Sequence, residues 1–319
     1  MNVRNLLLAL LAAIAVVFVA CGDDDDSGSE TTLSPTPGAA ETSSPAPEPF
    51  PVTITDDNGV AVTLEAAPTR IVALAPSFVE VLFALGAGDA VVAADDNTDY
   101  PPEAAGLPKI SGFEPSVEGI AAFEPDLVLM LFDPGGLQDA LQQLGINTLF
   151  LASPASIEDT FVQISTLGLA MGRSAAAQGL VGQMRAVVNS IVVKLPAGAP
   201  GPRVYHEVDN TYYSAGPGSF IDDLYTTLGA QNIAESTGDA FPQLSAEAII
   251  EADPEVIILA DEFAGESAGT VAARPGWDQI SAVKNARVHL LDPNIVSRPG
   301  PRLLDALDML AKLLYPEAF

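Results

Sequence analysis

Aromatic side chains that follow predicted strands are the residues of this chain best suited to hold a ligand. Tyr100, Phe113 and Phe241 each follow a loop from a strand to a helix, and Tyr212 and Tyr213 follow another strand, just before a Gly/Pro turn. Aromatic faces bury a large area at small entropic cost, which suits a large flat macrocycle or a catecholate chelate. Packing in the core or in a loop is the alternative for each of them.

Three arginines of the C-terminal part have the chemistry to neutralise an anionic ligand. Arg298 and Arg302 belong to the loop and first turn of the last predicted helix, and Arg274 precedes a Pro-Gly-Trp turn. The planar guanidinium group matches the oxygens of an anionic chelate geometrically. Ion pairs on the surface or between lobes are the alternative. We expect Arg298 to contact the ligand, and two arginines facing the ligand would favour an anionic chelate.

Glu118 and Glu247 occupy the same place in two copies of one short pattern. The segment at 116–130 aligns without gaps on the segment at 245–259, SVEGIAAFEPDLVLM on SAEAIIEADPEVIIL. In each copy a serine precedes the glutamate in the first turn of a short helix, where serine caps the helix and an acid favours its dipole. Convergence on common helix–turn–strand chemistry is the alternative to two structurally equivalent lobes. A receptor with two such lobes needs one anchor on each to dock on a two-fold symmetric partner.

A second pair of segments supports the two-lobe interpretation. PSFVEVLFALGAGD at 76–89 agrees more loosely with GSFIDDLYTTLGAQN at 218–232. Two similar α/β lobes create a cleft between them, at the carboxyl ends of the strands, where open α/β sheets bind ligands.

No motif of the sequence indicates a catalytic or metal centre. It contains no P-loop and no HExxH motif. His206 and His289 lie in separate predicted strands, whereas zinc and heme iron usually need a clustered set of ligands. A catalytic carboxylate pair on a similar scaffold, as in metal chelatases, is the alternative among enzymes. We predict a protein that is not an enzyme and that needs no cofactor and no metal of its own.

The N-terminus predicts export and attachment to a membrane. Arg4 precedes an apolar run of signal-peptide length at 6–20, which is too short to span a bilayer. The run ends at Ala20-Cys21, similar to a bacterial lipoprotein cleavage site, so we expect residues 1–20 to be removed and Cys21 to carry lipid. An ordinary secretory signal with a buried free cysteine is the alternative. Residues 21–50 are acidic and rich in Pro, Ser and Thr, which predicts a disordered tether.

The charge balance excludes one class of partner. The chain has 13 Lys+Arg and 42 Asp+Glu, a formal net charge of −29. Nucleic acid requires a basic face, so we predict no nucleic-acid partner. The same balance argues against electrostatic binding to an anionic membrane.

Alternation of strands and helices predicts an α/β fold. From Arg70 onward short buried-strand runs alternate with amphipathic segments, which is typical of parallel sheets covered by helices. The alternation stops over 157–195, whose second half carries a helical apolar stripe that includes Met184 and Ile191. We therefore predict, within a binding domain at 70–319, two Rossmann-like lobes at about 52–172 and 202–319. One long interdomain helix at about 174–195 joins them and limits any closing motion.

These segments together resemble a known family, the helical-backbone periplasmic receptors that deliver iron–siderophore complexes, heme or vitamin B12 to ABC importers. The similarity covers about residues 52–317 and is carried by RIVALAPSFVEVLFALG, TDYPPEA at 98–104, the two repeat segments, YYSAGPGSFIDDLYTTLGAQNIA, FPQLSAEAIIEADPEVIIL and RPGWDQISAVKNARVHLLD. Within the family the vitamin B12-binding proteins are most similar, through Asp99-Tyr100-Pro101-Pro102, Phe241-Pro242-Gln243 and Phe113.

The resemblance implies a function, a partner and a location. It implies a monomeric, lipid-anchored receptor on the outer face of the cytoplasmic membrane, which delivers a corrinoid to an ABC permease and ATPase. It also implies that Tyr100, Phe113 and Phe241 line the corrinoid cleft and that Glu118 and Glu247 pair with permease arginines. Phe stands here at two places where those proteins have Trp, so a ferric siderophore or heme is the alternative ligand. A ligand-binding lipoprotein without a transporter is a further alternative.

Overall fold

The computed structural model describes residues 50–198 and 200–319. The chain divides into two units, residues 1–44 and 45–319, and all of the described residues belong to the second. Among the described helices, none combines the length and the apolar character that crossing a bilayer requires. The predicted signal peptide, the predicted tether apart from Phe50, and the predicted lipidation at Cys21 lie outside the described residues.

The described chain begins with an antiparallel hairpin that was not predicted. Strand β1 (Val52–Thr55) pairs with strand β2 (Ala61–Leu64), and the turn between them includes Gly59 at φ 79°. Alternate residues of the hairpin, such as Ile54 and Val62, are buried against the core. Strict alternation on both sides of an Asn-Gly pair is the signal that predicts such a hairpin.

The N-terminal lobe is built on a five-stranded parallel sheet, in the strand order β5-β4-β3-β6-β7. Strands β3 and β6 are central and wholly buried, as expected when helices cover both faces of a parallel sheet. The strands are β3 (Ile71–Ala73), β4 (Val91–Asp95), β5 (Lys109–Ile110), β6 (Leu127–Met130) and β7 (Thr148–Phe150), and the helices are α1 (Pro76–Ala84), α2 (Val117–Ala121) and α3 (Leu137–Gln143).

Two helices connect this sheet to the next one. Helix α4 (Ile157–Ala170) and helix α5 (Ser174–Val192) pack as an antiparallel pair. They approach closely at Gly168, where an added Cβ would lie 2.4 Å from the Cβ of Ala177. Helix α5 confirms the predicted helical stripe, with Met184 buried at its centre.

The C-terminal lobe repeats the arrangement with four parallel strands, in the order β9-β8-β10-β11. The strands are β8 (Arg203–Glu207), β9 (Gln231–Asn232), β10 (Val256–Leu259) and β11 (Val288–Leu290). The helices are α6 (Phe220–Thr227), α7 (Ala246–Ala252), α8 (Ala268–Ala272), α9 (Ser281–Lys284), α10 (Pro293–Val296) and α11 (Leu303–Leu314). The predicted fold, two α/β lobes joined by a long helix, is confirmed.

The repeat seen in the sequence is a structural repeat. Strands β4-β3-β6-β7 of the first sheet match β9-β8-β10-β11 of the second in order and direction. Ser116 caps α2 by accepting from the third backbone N–H of the helix at 3.1 Å, and Ser245 caps α7 in the same way at 3.1 Å. The turns that follow contain equivalent left-handed residues, Glu124 at φ 46° and Asp253 at φ 45°. Convergence on local chemistry alone does not explain identical strand orders.

A single apolar core joins the two lobes. It runs from Leu82 in α1 through Ile164 in α4 and Met184 in α5 to Leu224 in α6 and Leu307 in α11, all of them buried. Interiors this closely packed resist deformation. The lobes are therefore held together by packing behind the cleft as well as by covalent connection.

Candidate functional site

A cleft of about 490 Å³ lies between the lobes, at the carboxyl ends of strands from both sheets. The N-terminal lobe supplies residues that follow β3, β4, β5 and β6, and the C-terminal lobe supplies Phe263 after β10 and residues 293–299 after β11. This is where open α/β sheets bind ligands, because the loops after each strand converge there. The position agrees with the cleft that the sequence predicts.

Three phenylalanines form the apolar surface of the cleft. The rings of Phe113 and Phe132 stack with centroids 5.6 Å apart and an interplanar angle of 28°. Phe113 is 66% exposed and Phe132 46%, and Phe263 from the other lobe is 77% exposed. Exposed aromatic faces in a cleft are available to a flat ligand at little entropic cost.

Phe132 and Phe263 were not predicted as site residues. They follow the two aligned repeat strands, β6 and β10, within a few residues. Extending the repeat alignment beyond residues 130 and 259 is the step that identifies them, since loops after equivalent strands reach the same cleft.

A buried carboxylate fixes the loop that carries Phe113. Asp95 accepts from the backbone N–H of Asn97 at 2.8 Å and from that of Gly112 at 2.9 Å. Burial raises the pKa of Asp95, and the hydrogen bonds from Asn97 and Gly112 oppose this. An added Cβ at Gly112 would lie 2.4 Å from Asp95 Oδ2 and 2.6 Å from the carbonyl oxygen of Leu74, so this position requires glycine. Asp95 therefore acts as an anchor of the cleft wall.

Arg298 lines the cleft, but its charge is already paired. Its Nη1 lies 2.5 Å from Asp99 Oδ1, and its Nη2 donates to the carbonyl oxygen of Asn97 at 2.8 Å and to Asn294 Oδ1 at 2.5 Å. Arg302 does not line this cleft, since its Nη2 lies 2.6 Å from the buried Glu80 Oε1. The alternative of ion pairs between the lobes thus describes both arginines in this structure.

Tyr100 belongs to a second space between the lobes. This neighbouring pocket measures about 440 Å³ and is lined also by Phe83, Pro101 and Arg302. The guanidinium carbon of Arg302 lies 4.3 Å from the centroid of the Tyr100 ring, a cation–π contact. Tyr100 is 42% exposed, and the structure does not bring it together with Phe113 in one pocket.

The side chains of Tyr212 and Tyr213 lie in different environments. Tyr212, at φ 70°, stacks against the buried Trp277 at 5.7 Å and against the guanidinium of Arg274 at 5.2 Å. Tyr213 is 40% exposed and pairs through its backbone with Gln243, two residues beyond the half-exposed Phe241. Neither Tyr213 nor Phe241 belongs to the cleft lining described above.

A buried acidic group lies behind the loop of Phe263. Arg274 donates from both terminal nitrogens to the wholly buried Glu207 at 2.6 Å and pairs with Glu266 at 2.9 Å. Asp261, also wholly buried, follows β10 beside them. Burial, followed by the negative charge of Glu207, raises the pKa of Asp261 to about 7. Asp261 therefore carries a proton over much of the acidic range.

Glu118 and Glu247 are exposed in the first turns of α2 and α7, each two residues after its capping serine. Neither takes part in an ion pair within the described parts of the chain. Because α2 and α7 are equivalent helices, the two glutamates lie at equivalent positions in the two lobes.

The histidines lie in separate environments. His206 is wholly buried with its Nδ1 2.7 Å from Tyr225 Oη, and burial lowers its pKa to about 4, so it is neutral. His289 is half-buried in β11, and burial lowers its pKa as well. Over residues 50–198 and 200–319, no three His, Cys, Asp or Glu side chains converge to form a metal site.

Comparison with known proteins agrees with this geometry. A family model described as periplasmic binding protein matches residues 71–295. An ABC transporter substrate-binding lipoprotein of Bacillus subtilis, YvrC, is 34% identical over 277 residues, covering 84% of this chain and 87% of the relative. A cobalamin-binding protein of Halobacterium salinarum is 30% identical over 277 residues, covering 83% and 74%. The structure of the periplasmic heme-binding protein RhuT from Roseiflexus has a TM-score of 0.72 at 26% identity and covers 80% and 100%.

Proposed function

Because this chain belongs to the periplasmic binding protein family, whose members are substrate-binding proteins of ABC transporters, we propose that it captures a corrinoid between its lobes. The observation that carries the proposal is an aromatic cleft whose single lining cation among the described residues, Arg298, is already neutralised by Asp99. A corrinoid has broad apolar faces and uncharged amide side chains, so it needs area and hydrogen bonds rather than compensating charge.

The polar residues that line the cleft suit the uncharged amide side chains of a corrinoid. Ser77, Asn97, Asn294 and Ser297 line it together with the phenylalanines, and all four are uncharged donors and acceptors. A corrinoid is larger than a cleft of about 490 Å³, so part of it remains outside. Tyr213 and Phe241 are both exposed, and we propose that they contact that part, as the sequence resemblance implies for Phe241.

Anionic chelates fit less well. A ferric catecholate carries several negative charges and requires uncompensated cations, whereas Arg274, Arg298 and Arg302 are each held by a carboxylate. Heme requires an axial ligand to its iron, and no described His or Tyr lines the cleft itself, while Tyr100 borders the neighbouring pocket and Tyr213 is exposed outside it. The uncharged macrocycle is therefore the better match.

The anchoring and docking steps are part of the same proposal. The chain is the substrate-binding protein of an ABC transporter, and we propose that lipid on Cys21 anchors it outside the cytoplasmic membrane through a tether at 21–50. Glu118 and Glu247 then dock on the permease, one from each lobe, and the cleft opens toward the pore. The receptor performs no chemistry on its ligand.

Ligand selectivity and its dependence on salt test the proposal. Residues 45–319 are equilibrated with cyanocobalamin, heme, a ferric hydroxamate and a ferric catecholate, at low and at high ionic strength. A corrinoid held by area and neutral hydrogen bonds binds most tightly and changes little with salt, because screening acts on charge–charge attraction. Preferred binding of a ferric chelate that weakens with salt would transfer the assignment to iron import.

A further inference from the structure

Four charged side chains from both lobes meet beside the cleft. Arg298 and Arg302 come from the C-terminal lobe, and Asp99 and Glu80 come from the N-terminal lobe. Arg298 pairs with Asp99 at 2.5 Å and Arg302 pairs with Glu80 at 2.6 Å. The crossed distances are only 3.8 Å between Arg302 and Asp99 and 3.9 Å between Arg298 and Glu80. These residues form an interlobe charge cluster.

One residue of the same lobe, Asn294, binds both arginines. Asn294, in the short helix α10, accepts from Arg298 through its side chain at 2.5 Å and from Arg302 through its backbone carbonyl at 3.1 Å. The two guanidinium groups therefore keep a fixed spacing, and the acids of the other lobe must match it. Further contacts cross between the lobes: Arg298 donates to the carbonyl oxygen of Asn97, and Arg302 lies over the ring of Tyr100.

Most of the cluster is shielded from solvent. The side chain of Glu80 is 1% exposed, and those of Arg298 and Arg302 are 11% and 14% exposed, whereas Asp99 is 47% exposed. Ion pairs at the surface contribute little, but a buried charge that loses its partner is costly. Moving the lobes apart by a few ångströms would separate these pairs, so the cluster resists that motion.

The cluster also lies at the wall of the ligand site. Arg298 borders the cleft that contains Phe113, Phe132 and Phe263, while Arg302 borders the neighbouring pocket that contains Tyr100. A change of lobe separation at this point alters the width of the cleft directly.

We propose that Asp99 and Glu80 are positioning residues, which act through Arg298 and Arg302 to fix the lobe separation at which the aromatic surfaces of both lobes contact one ligand. This inference rests on the proposed function, because it assumes a ligand that touches both lobes. It assigns Arg298 a bridging role between the lobes in addition to its place in the cleft.

The test measures the distance between the lobes without any ligand. Spin labels are placed at Leu144→Cys and Ala273→Cys, exposed positions of the two lobes, in residues 45–319, which contain no native cysteine. Pulsed electron–electron double resonance measures the distance between the two labels. It should give a narrow distance distribution in the wild type and a broader one in Asp99→Arg and in Asp99→Asn.

Asp308→Asn is the matched control, because Asp308 pairs with Lys312 on one exposed helix face and not between lobes. Equal distributions in the wild type and in Asp99→Asn would overturn the inference whatever the ligand. Where a ligand binds, its dissociation constant should rise about tenfold in Asp99→Asn if the competent population falls to about a tenth. Failure of cyanocobalamin to bind the wild type would instead count against the proposed function and leave the distance result standing.

Discussion

Arg70 and Arg203 make the same contact in the two lobes. Arg70 donates from Nε to the carbonyl oxygens of residues 123–124 at 3.2 and 3.0 Å, and Arg203 donates from Nε to those of residues 252–253 at 3.1 and 3.0 Å. Arg70 directly precedes strand β3 and Arg203 is the first residue of strand β8, and each binds the end of the equivalent short helix. The contact satisfies carbonyl groups that a helix leaves unpaired at its C-terminus.

Removing one of these arginines should destabilise the protein without affecting its site. We expect Arg203→Ala to lower the free energy of unfolding by about 1 kcal/mol, because charge-assisted hydrogen bonds to the backbone are lost at a half-exposed position. Urea titration measures this change, and Arg70→Ala should behave alike. Ligand affinity should remain that of the wild type, and a large loss of affinity would contradict a purely structural role.

The inner strands of the two repeats are the part of the fold that could be predicted from the sequence. Alternating strand and helix patterns predicted β3, β6 and β10 because these strands are buried on both faces and continuously apolar. Strand β8 was predicted from the same alternation although it contains the buried His206 and Glu207. The hairpin at 52–64 was missed although its alternation and its Asn-Gly turn are visible in the sequence.

The site was predicted less completely, for a physical reason. Phe113 was predicted from its place after a strand-to-helix loop and lines the cleft, and Phe132 and Phe263 lie in loops that a longer repeat alignment identifies. The pairing of Arg298 with Asp99 is different, since it depends on how two lobes are packed and no local pattern encodes it. Likewise, local sequence did not indicate which of Tyr212 and Tyr213 turns inward against Trp277.

Phe132 should contribute to ligand affinity. Phe132→Ala removes an exposed aromatic face and leaves Phe113 without its stacking partner, so we expect the dissociation constant for cyanocobalamin to rise about tenfold, equivalent to about 1.4 kcal/mol. Calorimetric titration measures it. Leu144→Ala is the control, an exposed apolar truncation in the same lobe outside the cleft. Equal affinities for the two variants would remove Phe132 from the site.

Glu118 and Glu247 should matter for delivery alone. Reversing both charges with Glu118→Lys and Glu247→Lys should leave ligand affinity intact, because both side chains are exposed in helices away from the cleft lining. Uptake of labelled ligand by cells carrying the permease should be lost. Glu251→Lys, another exposed acid of α7, is the control and should transport normally. Loss of ligand binding in the double variant would refute the docking assignment.

Asp261 should make stability depend on pH. The pKa of Asp261 is about 7 in the folded protein and near 3.8 when unperturbed, so between these values the folded state holds a proton that the unfolded state has lost. The free energy of unfolding therefore falls as pH rises from about 4 to about 7 and then levels off. Denaturant titrations across this range should show the decline in the wild type and a smaller one in Asp261→Asn. If the free energy of unfolding depends on pH equally in the two proteins, the proton is bound by a group other than Asp261.

Capture of a corrinoid is tested most directly by a calorimetric titration of residues 45–319 with cyanocobalamin. We expect submicromolar binding of one corrinoid per chain, with a negative heat-capacity change from burial of the aromatic cleft. Absence of binding to cyanocobalamin, together with tight binding of heme or of a ferric siderophore, would contradict corrinoid capture.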